Sequence, residues 1–162
     1  MNKIKIYLDD VRTPVNVVPE NPDNYDGDWT VVRDYDEFVA KVQEVGLHNI
    51  GVISLDHDLG ETAMSEYYNN VANNYTLDYN NIKEKTGYDC AKWLVSHFYE
   101  TNPWWEEANR FTKKAEVIPF PVIYTHSANP IGSANIMGYI NNFLKNEAQP
   151  QTCSRVRIHH TI

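Results

Sequence analysis

The sequence predicts an α/β domain: a three-layer sandwich on a central parallel sheet, with a polar insertion after the third strand. Two observations carry this. Short β-rich runs alternate with longer segments of helical periodicity, the pattern of parallel strands with helical crossovers. Polar clusters also fall where three of the runs stop, and open parallel sheets bind ligands beyond the carboxyl ends of their strands.

Lys3–Leu8 alternates and forms the first strand, ending at Asp9-Asp10. Pro14, Pro19, Pro22 and Gly27 mark the loop that follows. Trp29–Arg33 is a short second strand. Asp34 or Asp36 caps the next helix, whose apolar face is Phe38, Val39, Val42 and Val45, and Gly46 ends it. Gly51–Leu55 is a continuous apolar run, as expected of a central strand buried on both faces. It leads into Asp56-His57-Asp58-Leu59-Gly60. The stretch 61–85 is rich in asparagine and tyrosine and reads as an insertion, part helix and part loop. It is either a lid or a surface excursion. Thr86-Gly87-Tyr88-Asp89 opens a helix that Asn102-Pro103 closes. Val117–Tyr124 is the fourth strand, ending at Thr125-His126-Ser127-Ala128-Asn129-Pro130. Ile131–Lys145 is the next helix, and Ser154–His159 alternates as a last strand.

The chain has 162 residues with 42% hydrophobic content, enough for one domain spanning 1–162 with a buried core. Its formal net charge of −8 argues against a duplex nucleic-acid partner, which calls for a basic stripe. A small anionic ligand remains compatible, because local charges can outweigh the global sign. Cys90 and Cys153 are far apart and belong to no CxxC pair, so neither structural zinc nor a disulfide framework is expected. No stretch reaches membrane-spanning length and the amino-terminal strand lacks a signal-peptide core, so the expected location is the cytoplasm.

Clustered carboxylates repel and raise one another's pKa unless a cation neutralises them. Mg²⁺ or Mn²⁺ does so through oxygen ligands. Asp9, Asp10 and Asp56 are the metal candidates, with Asp58 one step further into its loop. The alternative is that these acids are helix caps and turn residues. His57 and His126 are positioned for acid–base chemistry, or else bond loop carbonyls. Ser127, Asn129 and the helix start near Gly132 have the make-up of an anion cradle. Arg12 and Arg33 each suit a phosphate or a structural carboxylate bridge. Trp104 and Trp105 read as packing residues, or as stacking platforms together with Tyr88.

These residues resemble receiver domains, which have an acidic pair after the first strand, an aspartate after the third and a Thr/Ser after the fourth; the resemblance implies a receiver-like, flavodoxin-like architecture. Asp9-Asp10, Asp56, and Thr125 or Ser127 match in order. The receiver's fifth-strand lysine has no clear counterpart. The sequence is more closely similar to the receiver-like family named for cyclic-phosphate processing. The shared motifs are Leu8-Asp9-Asp10-Val11-Arg12, Ser54 to Gly60, Thr86-Gly87-Tyr88-Asp89 with Trp93-Leu94, and His126-Ser127-Ala128-Asn129-Pro130 through Gly132, Asn135 and Met137. That resemblance implies hydrolysis of a cyclic phosphate on a small phosphorylated nucleotide, of ADP-ribose type, or on an RNA end. In this reading Asp9, Asp10, Asp56 and Asp58 are metal ligands. Asp56, His57 and His126 are catalytic, and Arg12, Arg33, Ser127 and Asn129 hold substrate. A rival expectation is a non-catalytic module that sequesters a nucleotide or accepts a phosphoryl group on Asp56. Haloacid-dehalogenase-like and Toprim domains both want Asp-x-Asp. The adjacent acids after the first strand do not match the former. Asp56-His57-Asp58 imitates the latter, against which the net charge speaks.

Overall fold

Four parallel strands order themselves β2-β1-β3-β4 in a computed structural model, which describes residues 2–17, 22–105 and 118–147. The strands are β1 (Ile4–Leu8), β2 (Thr30–Val32), β3 (Ile50–Leu55) and β4 (Val122–Thr125). β1 and β3 are central and buried, and the chain runs from β1 outward to β2, then back across to β3. Their shared carboxyl end is therefore a topological switch point. β4 begins at Val122, five residues later than the sequence predicts. Pro119 and Pro121 have no N–H to give to a ladder, so pairing starts only beyond them. The predicted strand at 154–159 lies outside the described residues.

The helices follow their local signals. One helical turn, α1 (Pro22–Tyr25), sits in the first loop. Helix α2 (Tyr35–Val45) starts at Asp34, whose side chain accepts from the Glu37 N–H, and ends at Gly46 with φ of 83°. Helix α5 (Gly87–Thr101) begins with a capping box between Thr86 and Asp89. Between them, the 61–85 segment forms α3 (Glu61–Glu66), a π-helical turn (Tyr67–Val71), α4 (Ala72–Asn74) and a 3-10 turn (Tyr79–Asn81). Two carboxylates hold this segment together. Glu66 accepts from Asn70, Asn81 and the Asp78 N–H, and Glu84 accepts from Thr62 and the Ala63 N–H. The last described helix is α6 (Pro130–Glu147).

Strand alternation sorts the side chains onto two faces. Ile6, Leu8, Ile53, Leu55 and Ile123 face the main core with Phe38, Leu94, Phe98, Ile136 and Ile140, so α2, α5 and α6 cover one side. Tyr7 points the other way and packs with Val17, Tyr25, Trp29, Val31 and Tyr124. On that face Tyr7, Ser54 and Tyr124 share one rung of the sheet. Trp105 and Trp93 are packing residues: Trp105 is buried and Trp93 meets Phe38 edge-on. Trp104 is exposed.

Candidate active site

The ladder runs one step past each strand end. The Asp9 N–H donates to the Val32 carbonyl, Asp56 N–H to Leu8 and His126 N–H to Leu55, at 3.1, 2.9 and 3.2 Å. These three residues therefore keep the strand alternation, two positions beyond Tyr7, Ser54 and Tyr124. All three side chains emerge on the aromatic face. Each offers one ligand atom, and these atoms lie within 4.8 Å of one another.

Asp9 is the most heavily bonded group. Its Oδ1 accepts from the N–H of Val11 (3.0 Å) and Arg12 (2.7 Å), and its Oδ2 from Arg12 Nε (2.8 Å). His126 Nε2 lies 3.1 Å from the same Oδ2. Burial alone would raise its pKa, but these bonds and the Arg12 charge hold the carboxyl well below the usual carboxylate range. Asp56 has the opposite fate. Burial, then the neighbouring Asp9 charge, pushes it up to about 7, against the lowering pull of Ser127 and Arg12. Arg12 Nη2 lies 3.4 Å from Asp56 Oδ2, so one guanidinium bridges both acids.

An ionised Asp9 fixes the proton order behind it. His126 Nε2 must carry the hydrogen it shares with Asp9. Its Nδ1 then accepts from Ser54 Oγ at 2.7 Å, and Ser54 in turn accepts from the Tyr25 hydroxyl at 2.8 Å. The ring stacks on Tyr7, with centroids 4.1 Å apart. Burial first of all lowers the His126 pKa, which keeps the imidazole neutral.

His57 follows Asp56 and faces the other side of the sheet, toward α5 and α6. It is fully buried. Its Nδ1 lies 2.6 Å from Asp58 Oδ1 and its Nε2 lies 3.0 Å from the Tyr79 hydroxyl. Asp58 also accepts from Asn129 Nδ2, at 3.2 Å, so it is committed to this pair. Two glycines make room here. A Cβ on Gly132 would stand 2.2 Å from His57 Cγ, and one on Gly87 1.9 Å from the Asp56 carbonyl oxygen. The glycines of both downstream motifs thus let α5 and α6 press against the Asp56–His57 turn.

The remaining predicted residues divide. Asp10 is half-buried beside the cluster, and burial and Asp9 raise its pKa. Ser127 is buried next to Asp56. Asn129 caps α6: its Oδ1 accepts from the Gly132 N–H at 2.9 Å, so its amide serves the fold rather than an open cradle. The Arg33 side chain turns to the acidic loop, while its backbone N–H donates to Glu37 Oε2 at 2.8 Å. Its Nη1 donates to the carbonyls of Asp9 and Arg12, at 3.0 and 2.6 Å, and so clamps the acidic loop. Sequence reasoning missed Tyr25, Ser54 and Tyr79 as partners of the histidines. For Ser54 the signal was available, since it precedes Asp56 by two on the same strand face.

A parallel α/β sheet with buried acids at the switch point defines a receiver-like domain. More particularly, the chain belongs to the cyclic-phosphate processing receiver domain family, whose model matches residues 4–142. No curated protein and no solved structure matches it. No described helix is long and apolar enough to cross a membrane.

Proposed function

We propose that this protein is a metal-dependent phosphoesterase that opens a cyclic phosphate on a small nucleotide. The observation that supports this best is the meeting of Asp9, Asp56 and His126 on one face, with ligand atoms within 4.8 Å. The donor set fits a hard divalent cation such as Mg²⁺ or Mn²⁺. It supplies carboxylate oxygens, and a cation there would offset the burial and the Asp9 repulsion that together raise the Asp56 pKa.

Asp9 and Asp56 would hold the cation, with Asp10 beside them. Bound there, it supplies Lewis-acid polarisation of a phosphoryl oxygen. Both lone-pair positions of Asp9 Oδ2 are taken by Arg12 and His126. Arg12 therefore leaves Asp9 when the site is loaded, and its fork turns to the phosphate. Ser127 orients the phosphate from beside Asp56. His126, a neutral imidazole, steadies the departing ribose oxygen through a hydrogen bond from its Nε2–H while Ser54 holds its Nδ1, and the attacking water supplies the proton that this oxygen gains. His57, bonded at both nitrogens, and Asp58 keep the Asp56 turn in place.

A screen of 2′,3′-cyclic and 1″,2″-cyclic phosphates with Mg²⁺ and Mn²⁺ tests the proposal. Turnover that is lost in Asp9→Asn and His126→Gln is expected. No turnover of any, by folded protein, would sink it. The rival reading, phosphoryl acceptance on Asp56, predicts a stable mass adduct after acetyl phosphate treatment, which the hydrolase reading does not.

A further inference from the structure

Next to the Asp56–His57 turn lies a cleft of about 330 Å³ that the proposed chemistry does not use. Its walls include Tyr79, Thr86, Tyr88, Lys83, Lys85 and Lys92. It abuts the Asp56–His57 turn. Thr86 leads into Gly87, whose N–H donates to the His57 carbonyl at 2.9 Å, and Tyr79 bonds the His57 ring.

The charge of this cleft runs against the rest of the chain. Lysines converge here in a protein of net charge −8. The acids on the same wall are already engaged. Glu84 accepts from Thr62 and from the Ala63 N–H. Asp89 accepts from the Thr86 N–H at 2.8 Å and lies 3.5 Å from Lys92. The ring of Tyr88 is sandwiched: Tyr79 stacks on it at 5.5 Å, and Lys92 Nζ lies 4.7 Å from its centre. Both faces of Tyr88 are thus occupied; Lys85 Nζ lies 5.6 Å from the centre of the Tyr35 ring, and the cleft presents its ammonium groups on flexible stems. Those suit phosphate oxygens as point charges.

We infer that this cleft is a second phosphate subsite, which holds a phosphate or diphosphate group of the same nucleotide whose cyclic phosphate lies at Asp9 and Asp56. The inference rests on the proposed function for its second half only. It makes the preferred substrate one with a further phosphate beyond the cyclic ester, set apart from it by the width of the Asp56–His57 turn.

Inorganic pyrophosphate, titrated calorimetrically into the full chain with EDTA present, is the first test. The EDTA leaves the acidic crevice without a cation and repulsive to anions. Binding that weakens at least about tenfold in Lys83→Ser/Lys85→Ser, on loss of charge-assisted bonds, is expected. Asp56→Asn should retain it, and so should Lys41→Ser/Lys145→Ser, which removes the same charge elsewhere. No binding, or equal loss in both lysine pairs, overturns the subsite. The second test compares KM for cyclic-phosphate nucleotides with and without a second phosphate. Lys83→Ser/Lys85→Ser should raise KM only for the former, with kcat unchanged; a uniform effect overturns the link between the two sites. Absence of all turnover defeats the hydrolase reading and leaves the pyrophosphate result to decide the cleft.

Discussion

The Tyr79 hydroxyl lies 3.0 Å from His57 Nε2 and also 3.0 Å from Asn135 Nδ2, so one phenol ties the 61–85 segment to the acidic turn and to α6. Burial raises its pKa to about 12, and it stays a neutral hydroxyl. Tyr79→Phe leaves His57 and Asn135 each one partner short. A loss of about 1–3 kcal/mol in urea-unfolding free energy is expected, the cost of buried polar groups left unpaired. An unchanged midpoint would show that the hydroxyl is not what ties the segment down.

Asp56 makes the cation-free protein less stable as pH rises. The unfolded chain releases this proton near 3.8, whereas the folded protein keeps it until about 7. Between those values the native state binds more protons, so its stability falls as pH climbs through the window and stays low above 7. Asp9 has the opposite sign: its depressed pKa contributes stability above about 3.8 that is lost only in strong acid. Asp56→Asn should therefore stabilise the EDTA-treated protein at pH 8, by on the order of 2–4 kcal/mol, and do little at pH 4. Denaturant titrations at both pH values check this, and equal effects would contradict it.

The same charge predicts how cations act. Mg²⁺ or Mn²⁺ should raise the melting temperature at pH 8 more than at pH 5.5, because protonated Asp56 competes with the ion. EDTA should reverse the gain, and Asp56→Asn should abolish most of it. Differential scanning fluorimetry reads all three. A rise of equal size at both pH values would place the ion elsewhere.

One substitution made twice in α6 should have opposite outcomes. Helical Gly→Ala normally gains about 1 kcal/mol. At Gly138 no atom lies within 4 Å of the added methyl group, and that gain is expected. At Gly132 the methyl group meets the His57 ring at 2.2 Å, and a loss of about 1–3 kcal/mol follows from overpacking. Thermal melts of the two variants decide it; similar shifts would mean that the His57 contact yields freely.

Much of this architecture is readable in the residues. The ends of β1, β3 and β4, the cap at Asp34 and the capping box at Thr86 all act locally, within a few positions of the chain. The clustering of Asp9, Asp56 and His126 also follows from alternation, once the three strands are known to pair in register. What could not be read is which way the residues around these acids turn. His57 and His126 look alike in sequence, yet they point to opposite faces because one falls a residue beyond its ladder's last rung and the other falls on it. Asn129 and Arg33 have the chemistry of phosphate ligands. Their employment as cap and loop clamp depends on backbone groups that tertiary packing brings near. Tyr25 and Tyr79 come from loop segments whose path the chain's periodicity does not encode.

The hydrogen bond from His126 to Asp9 joins positions 117 apart in the chain. Its consequence is one of timing. A ribosome must have released β4 before the first acidic pair meets its imidazole, and closing so long a loop is slow. Until then the nascent chain carries Asp9 and Asp56 as ordinary solvated carboxylates with no shared geometry. The shared geometry of these side chains is, in this protein, a late product of folding and a sensitive report that folding has finished.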